Sequence, residues 1–220
     1  KTNSLAGFGC DHLSPGLIAA AGLLRYLQET QKTLPRHIER IRAYAADEYM
    51  MLDWPTRRNL ELTASLSQNR RQGSLLGVLD RTITAMGGRM LRTWIDQPLL
   101  DIAMINKRLA NVEALTEHFI LRAKLRKLLD SVYDLERLMG RVAYGTANAR
   151  DLVGLKTSLQ RVVPIREALK SIVSEPENGE PAKPKSYGYL AEILDQLDPL
   201  EDVADLIDRA IVSDPPLTLR

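Results

Sequence analysis

Apolar residues recur at three- and four-residue spacing along almost the whole chain, and that period admits helices and little else. The first clear run follows Ser14-Pro15, a hydroxyl able to cap and a proline whose missing N–H costs nothing at a helix start. Leu17, Ile18, Ala21, Leu24 and Leu27 or Gln28 carry it onward, and Pro35 marks a stop after Leu34. Asp53 precedes Pro55 in the same way, with Leu60, Leu62 and Leu66 placed on the helix that follows, up to the polar stretch SQNRRQG. Ser74 opens a short piece ending near Asp80. Thr84 caps the next helix, with Met86, Met90, Leu91, Trp94 and Ile95 in register, and Asp101 caps a longer one with Ile102, Ile105, Leu109, Val112 and Leu115 on one face. Leu121, Leu125, Leu128 and Leu129 carry a further helix. Asn148 caps a long segment through Leu152, Leu155, Leu159, Val162 or Val163, Ile165 and Leu169, which Pro164 should interrupt. Two more helices are expected near Tyr189–Leu197 and Leu200–Ile211, closed by Asp214-Pro215-Pro216. The fold class is therefore all-α and multi-helix. The exception is the neighbourhood of residues 38–52, where alternation at Ile41, Ala43 and Ala45 followed by Tyr49-Met50-Met51-Leu52 allows one small strand pair.

At 220 residues the chain is long enough for one large domain or two small ones, and it can bury a core without staples. Residues 174–185, SEPENGEPAKPK, hold three prolines and no large apolar side chain, the composition of a flexible surface loop or linker. The single cysteine, Cys10, can form neither an internal disulfide nor a metal cluster, which fits a reducing compartment. The longest apolar run, Leu17 to Leu24, falls far short of the ~20 residues a membrane span needs. Neither a signal-peptide order nor an initiator Met opens the chain, which hints at excision from something longer. Net charge is +2, but residues 186–220 carry eight Asp or Glu against two Arg, so the remainder carries +8. That bias is mild.

Motifs for chemistry are sparse. Neither G-x-x-x-x-G-K-[ST] nor G-x-G-x-x-G occurs. The amides of Gly87-Gly88 with Arg89 could hold an anion, although close helix packing is the simpler account of the glycines. Gly73-Ser74-Leu75-Leu76-Gly77 looks like a nucleophile elbow but is out of register. His12, His37 and His118 are scattered and are best taken as surface residues. Asp134 is expected to cap a helix while Glu136 and Arg137 pair with neighbours. The acids from Glu192 to Asp208 form the solvated face of amphipathic helices. Arg57-Arg58, Arg70-Arg71 and Arg122/Lys124/Arg126/Lys127 could touch phosphates, but aromatics do not interleave with them in sequence as single-strand grooves require. No catalytic, cofactor-binding or metal residue is assigned. The reading from the residues is a helical module that transmits or scaffolds and is not itself an enzyme. A freestanding protein-interaction adaptor, docking through its acidic C-terminal helices, is the alternative.

Four blocks sharpen this. DWPTRRNLEL (Asp53–Leu62), GSLLGVLDRTITAMGGRMLRTWIDQPLLD (Gly73–Asp101), YDLERLMGRVAYG (Tyr133–Gly145) and NARDLVGLKTSL (Asn148–Leu159) resemble, in order and spacing, the core or lever domain of the MutS family of DNA mismatch repair proteins. The resemblance implies that residues 1–48 are the C-terminal part of a connector domain and its linker, and that 49–220 are the first part of the core, with 174–185 as a flexible loop. It implies a structural and allosteric segment coupling an ATPase domain to a mismatch-binding DNA clamp, both absent from this chain. No cofactor is expected in the segment itself; ATP and magnesium belong to the missing ATPase. Duplex DNA with mismatches, a second MutS subunit and a MutL-type partner are implied for the whole protein, in the cytoplasm and without a membrane. The caps Asp53, Thr84, Asp101 and Asn148 and the apolar anchors Leu75, Leu79, Leu91, Trp94, Leu99 and Leu135 are the residues expected to hold it together. Without the rest of the core, exposed apolar surface and self-association are expected.

Overall fold

The computed structural model describes residues 14–31, 49–174 and 188–216. Among these are ten helices and no strand: α1 Ser14–Gln31, α2 Trp54–Asn59, α3 Leu75–Leu79, α4 Ala85–Asp96, α5 Ile102–Glu117, α6 Phe119–Leu129, α7 Leu135–Ala143, α8 Ala149–Ser174, α9 Gly188–Gln196 and α10 Glu201–Ala210. Most of the expected strand pair, the sequence before Tyr49, lies outside the described residues. Tyr49 itself makes a single antiparallel bridge to Leu99, with the Met50 amide donating to the Pro98 carbonyl at 2.8 Å. The segments at 174–185 and His12 and His37 also lie largely or wholly outside. No described helix is long and apolar enough to cross a membrane.

All four expected caps accept amide hydrogen bonds. Asp53 takes the Thr56 amide at 2.8 Å, Thr84 that of Gly87 at 3.0 Å and Asp101 that of Ala103 at 2.8 Å. Asn148 takes the Asp151 amide at 2.9 Å, and Asp151 returns the favour by accepting from the Asn148 amide at 3.1 Å. The reciprocal pair satisfies two donors that the helix leaves open.

Helix α8 is the spine. Its first half packs Leu155 and Leu159 against Leu138 of α7 and Ala204 and Ile207 of α10. Its second half packs Ala168, Leu169 and Ile172 against Ala114 of α5, Leu125 of α6 and Leu190 of α9. Pro164 sits between the two clusters without ending the helix, contrary to expectation. A mid-helix proline costs about 3 kcal/mol in isolation, but here buried apolar clusters on both sides hold the backbone helical across it.

A third cluster, Leu62, Leu76 and Ile95 with Leu52 and Leu91, belongs to α3, α4 and the loop before them. Here the anchors shift. Leu76 is 4% exposed, whereas Leu75 and Leu79 are 43% and 51% exposed and do not fill the core as expected. The reason is the helix before them: α2 stops at Asn59 instead of running on through Leu66. Glu61 turns left-handed at φ 49°, and the backbone from Glu61 pairs with α3, the Leu75 and Leu76 amides donating to the Glu61 and Leu62 carbonyls at 3.0 and 2.9 Å. That pairing fixes which side of the five-residue α3 faces inward.

The face of α5 also rotates from its expected position. Ile102, Leu109 and Val112 are exposed at 72%, 59% and 59%, while Asn111 and Ala114 are buried. Asn111 donates from Nδ2 to the Lys107 carbonyl at 2.6 Å and accepts the Leu190 amide at 3.3 Å, so a buried side chain of α5 caps the first turn of α9.

Candidate functional site

Two regions combine charge with tertiary position. The first is the seam between the α2–α4 unit and the α5–α10 bundle. The third apolar cluster contains no side chain from the bundle, and the seam is crossed by arginines. Arg89 on α4 reaches α7 in a fork: Nη1 and Nη2 donate to the two Asp134 oxygens at 2.8 and 2.7 Å, and Nε and Nη2 donate to Glu136 at 2.8 and 2.5 Å. Arg126 of α6 donates to the Arg81 carbonyl at 2.9 Å, and Arg108 of α5 lies 3.9 Å over the Trp94 ring of α4. Planar guanidinium groups suit both roles, since they bind carboxylates bidentately and stack on aromatic faces.

The local sequence prepares the Arg89 fork. Asp134 caps α7 by accepting the Arg137 amide at 3.3 Å, which fixes its carboxylate at the helix N-terminus. Thr82 and Thr84 crowd the first turn of α4, so a Cβ at Gly87 or Gly88 would lie 3.1 or 3.3 Å from a threonine hydroxyl. The two glycines thus serve close packing, and Arg89 holds carboxylates of its own chain in place of an external anion. Asp134 was expected to be a cap, and it is; its second role, as the acceptor for an arginine 45 residues away, left no local signal.

This fork shifts both partners. Hydrogen bonding to Asp134 and Glu136 raises the Arg89 guanidinium above its ordinary value, and the Arg89 bonds hold the Asp134 carboxyl down at about 2 against burial. Thr82 bonds, aided by Arg71, likewise hold the buried Asp80 carboxyl below the ordinary range. A carboxyl whose pKa is depressed on folding stabilises the fold above its unfolded value of 3.8 and loses that stabilisation as pH falls through the folded value of about 2. Melting curves on acidification should therefore show a loss of stability between about pH 4 and pH 2. Arg89→Gln should flatten the part contributed by Asp134; an unchanged pH profile in the variant would refute the assignment.

The second region is a groove of about 640 Å³ between α2, the loop after it and α4, lined by Trp54, Arg57, Arg58, Thr63, Ser65, Asn69, Arg92 and Asp96 among others. Sequence reasoning named Arg57 and Arg58 but did not bring them together with Arg92. The other basic candidates behave differently. Arg71 pairs with Asp80, while Arg122 and Arg126 donate to the Leu115 and Arg81 carbonyls. Arg70 and Arg71 lie in a loop closed by the Ser65 amide donating to the Arg70 carbonyl at 2.8 Å.

The remaining candidates are structural. In GSLLG, Gly73 occupies φ +88°, Ser74 is 1% exposed and caps α3 through the Gly77 amide at 3.1 Å, and its hydroxyl donates to the Arg71 carbonyl at 2.6 Å. That Ser is a buried cap with no access to substrate. The acids of α9 and α10 are exposed, but Glu192 pairs with Lys107 at 2.5 Å and Asp208 with Lys156 at 2.8 Å. His118 joins α5 to α6. Among the described residues no group of His, Cys, Asp or Glu is arranged to hold a metal.

The described residues thus define an all-helical module with one long spine and an arginine-bridged seam. Residues 55–220 match the family model MutS domain III, and the chain belongs to that family. It is 43% identical over all 220 residues to a DNA mismatch repair protein MutS from Halothermothrix orenii and 48% identical over 218 residues to one from Symbiobacterium thermophilum. Another, from Pelotomaculum thermopropionicum, is 47% identical over 204 residues, or 92% of the chain. The chain spans about 23% of the first two relatives and 22% of the third.

Proposed function

We propose that this chain is the structural and allosteric segment of a DNA mismatch repair protein, coupling an ATPase domain to a mismatch-binding DNA clamp. The observation that carries the proposal is the Arg89 fork, which ties α4 to α7 at a seam otherwise free of a shared apolar cluster. Polar bridges of this kind have defined geometry and can exchange partners, whereas a packed apolar interface resists sliding. Movement of the α2–α4 unit would pass through Arg89 into α7 and then along α8, whose two clusters link it to α10 at one end and to α5, α6 and α9 at the other. In this reading residues 1–48 complete a connector domain, 49–220 begin the core, and the segment itself is non-catalytic. ATP and magnesium would bind in the ATPase domain. Mismatched duplex DNA, a second subunit and a MutL-type partner would be met by the whole protein in the cytoplasm. Family membership favours this over a freestanding adaptor.

Arg89→Gln in the full-length gene product tests it. Basal ATP hydrolysis should persist while the change in hydrolysis produced by mismatched duplex falls at least about fivefold, the lower end of ordinary allosteric couplings. Retained coupling in a variant with a lost Arg89 fork would overturn the proposal.

A further inference from the structure

The α2–α4 groove carries chemistry that the coupling reading does not use. Arg57, Arg58 and Arg92 converge there with Asp96 as the lining carboxylate. Asp96 is shared and loosely held: its oxygens lie 3.9 Å from Arg57 Nη1 and 3.7 Å from Arg92 Nε. Three guanidiniums against one carboxylate leave a positive excess in a concave site. Thr63, Ser65 and Asn69 add hydroxyl and amide donors to the same lining, and their side chains make no hydrogen bond to other described residues. Trp54 stands at the rim, 69% exposed, with the Arg58 guanidinium 5.3 Å from its ring centroid. The volume of about 640 Å³ is ample for a nucleotide-sized group.

We infer that this groove is a contact site for single-stranded nucleic acid, with phosphodiester oxygens on Arg58, Arg92 and the hydroxyl donors and a base stacked on Trp54. Guanidinium and hydroxyl donors together match phosphate oxygens, each of which accepts several hydrogen bonds. An acidic peptide would satisfy the arginines but offers no flat face to the exposed indole, and stacking on an aromatic beside a basic groove is the usual device for holding unpaired bases. One aromatic, Trp54, thus stands among three arginines, two from its own helix and Arg92 brought in by α4.

The test is a titration of the 220-residue chain, following tryptophan fluorescence, with a short oligothymidylate, a blunt duplex, a polyglutamate peptide and inorganic phosphate. The oligothymidylate should quench the signal, and Trp54→Phe should abolish the quenching while Trp94 remains. Two to three neutralised phosphates should give a log–log salt slope of roughly −1.5 to −2 for a single strand. Arg58→Ala and Arg92→Ala should each weaken binding about fivefold or more and together abolish it. Arg57 is spared because its Nε donates to the Leu52 carbonyl at 2.9 Å and its loss would disturb the fold. Equal or tighter binding of polyglutamate would make the site one for acidic peptides. Saturation by phosphate alone would make it a simple anion site, and preference for duplex would remove the stacking role. Each of these, or binding unaltered in folded Arg58→Ala/Arg92→Ala protein, overturns the inference. None bears on the Arg89 experiment, which tests a different surface.

Discussion

Gly77→Ala should lower the melting temperature of this chain by roughly 6–12 °C, the equivalent of about 3 kcal/mol in a domain of this size. A Cβ built on Gly77 lies 2.2 Å from the Arg71 carbonyl oxygen and 3.1 Å from its carbon, far inside contact distance and against backbone that cannot rotate away. The same carbonyl accepts the buried Ser74 hydroxyl and the Ser74 amide, so displacing it would also disturb the cap of α3. Because α3 supplies Leu76 to the cluster that seats α4, the damage should extend to the Arg89 fork. Gly140→Ala is the matched control. Nothing lies within 4 Å of a Cβ there, and the residue is inside α7, so alanine should stabilise by ~0.4–1 kcal/mol through chain entropy and helix propensity. Thermal melts of the two variants should move in opposite directions; a Gly77→Ala protein that melts with the wild type would refute the close approach.

Ile172→Ala should cost about 2–5 kcal/mol, read from urea or thermal unfolding. Ile172 is 0% exposed in the cluster joining α8 to α5, α6 and α9, so truncation leaves a cavity where three other helices meet the spine. Removing Leu206 instead, 59% exposed on α10, should change stability by no more than about 0.5–1 kcal/mol. If the two variants unfold alike, the placement of the core along α8 is wrong.

The contrast between these residues shows what was legible in the chain. The periodicity through Leu155, Leu159, Ile165 and Leu169 announces a helix with an apolar stripe, and Ile172 continues the same spacing one turn further on. Caps were equally legible, because a cap is a local bond between residues two or three apart. Leu75 and Leu79 were misplaced because α3 is five residues long. So short a helix shows no resolved periodicity, and its inward face is set by pairing with the Glu61–Leu62 backbone. The outward turn of Leu109 and Val112 has the same origin: α5 is amphipathic enough to form, but Asn111 and Ala114 are the side chains that meet α9 and the spine. The family's four blocks are legible in the sequence itself, and the match over residues 55–220 agrees with them.

The candidate site was less legible than the fold. Arg89, Asp134 and Glu136 stand 45 and 47 positions apart in sequence, and neither end signals the other. Trp54 and Arg58 already share α2 at i, i+4 spacing, whereas Arg92 joins them only because α4 flanks the same loop. Sequence by itself determined the helices, their starts and the all-α class, since those depend on bonds and side-chain spacings within a turn or two. Tertiary structure alone decided which faces are buried, that α8 runs unbroken past Pro164, and which charges converge. Those outcomes depend on free energies of burial and ion pairing between segments whose mutual positions no local rule encodes.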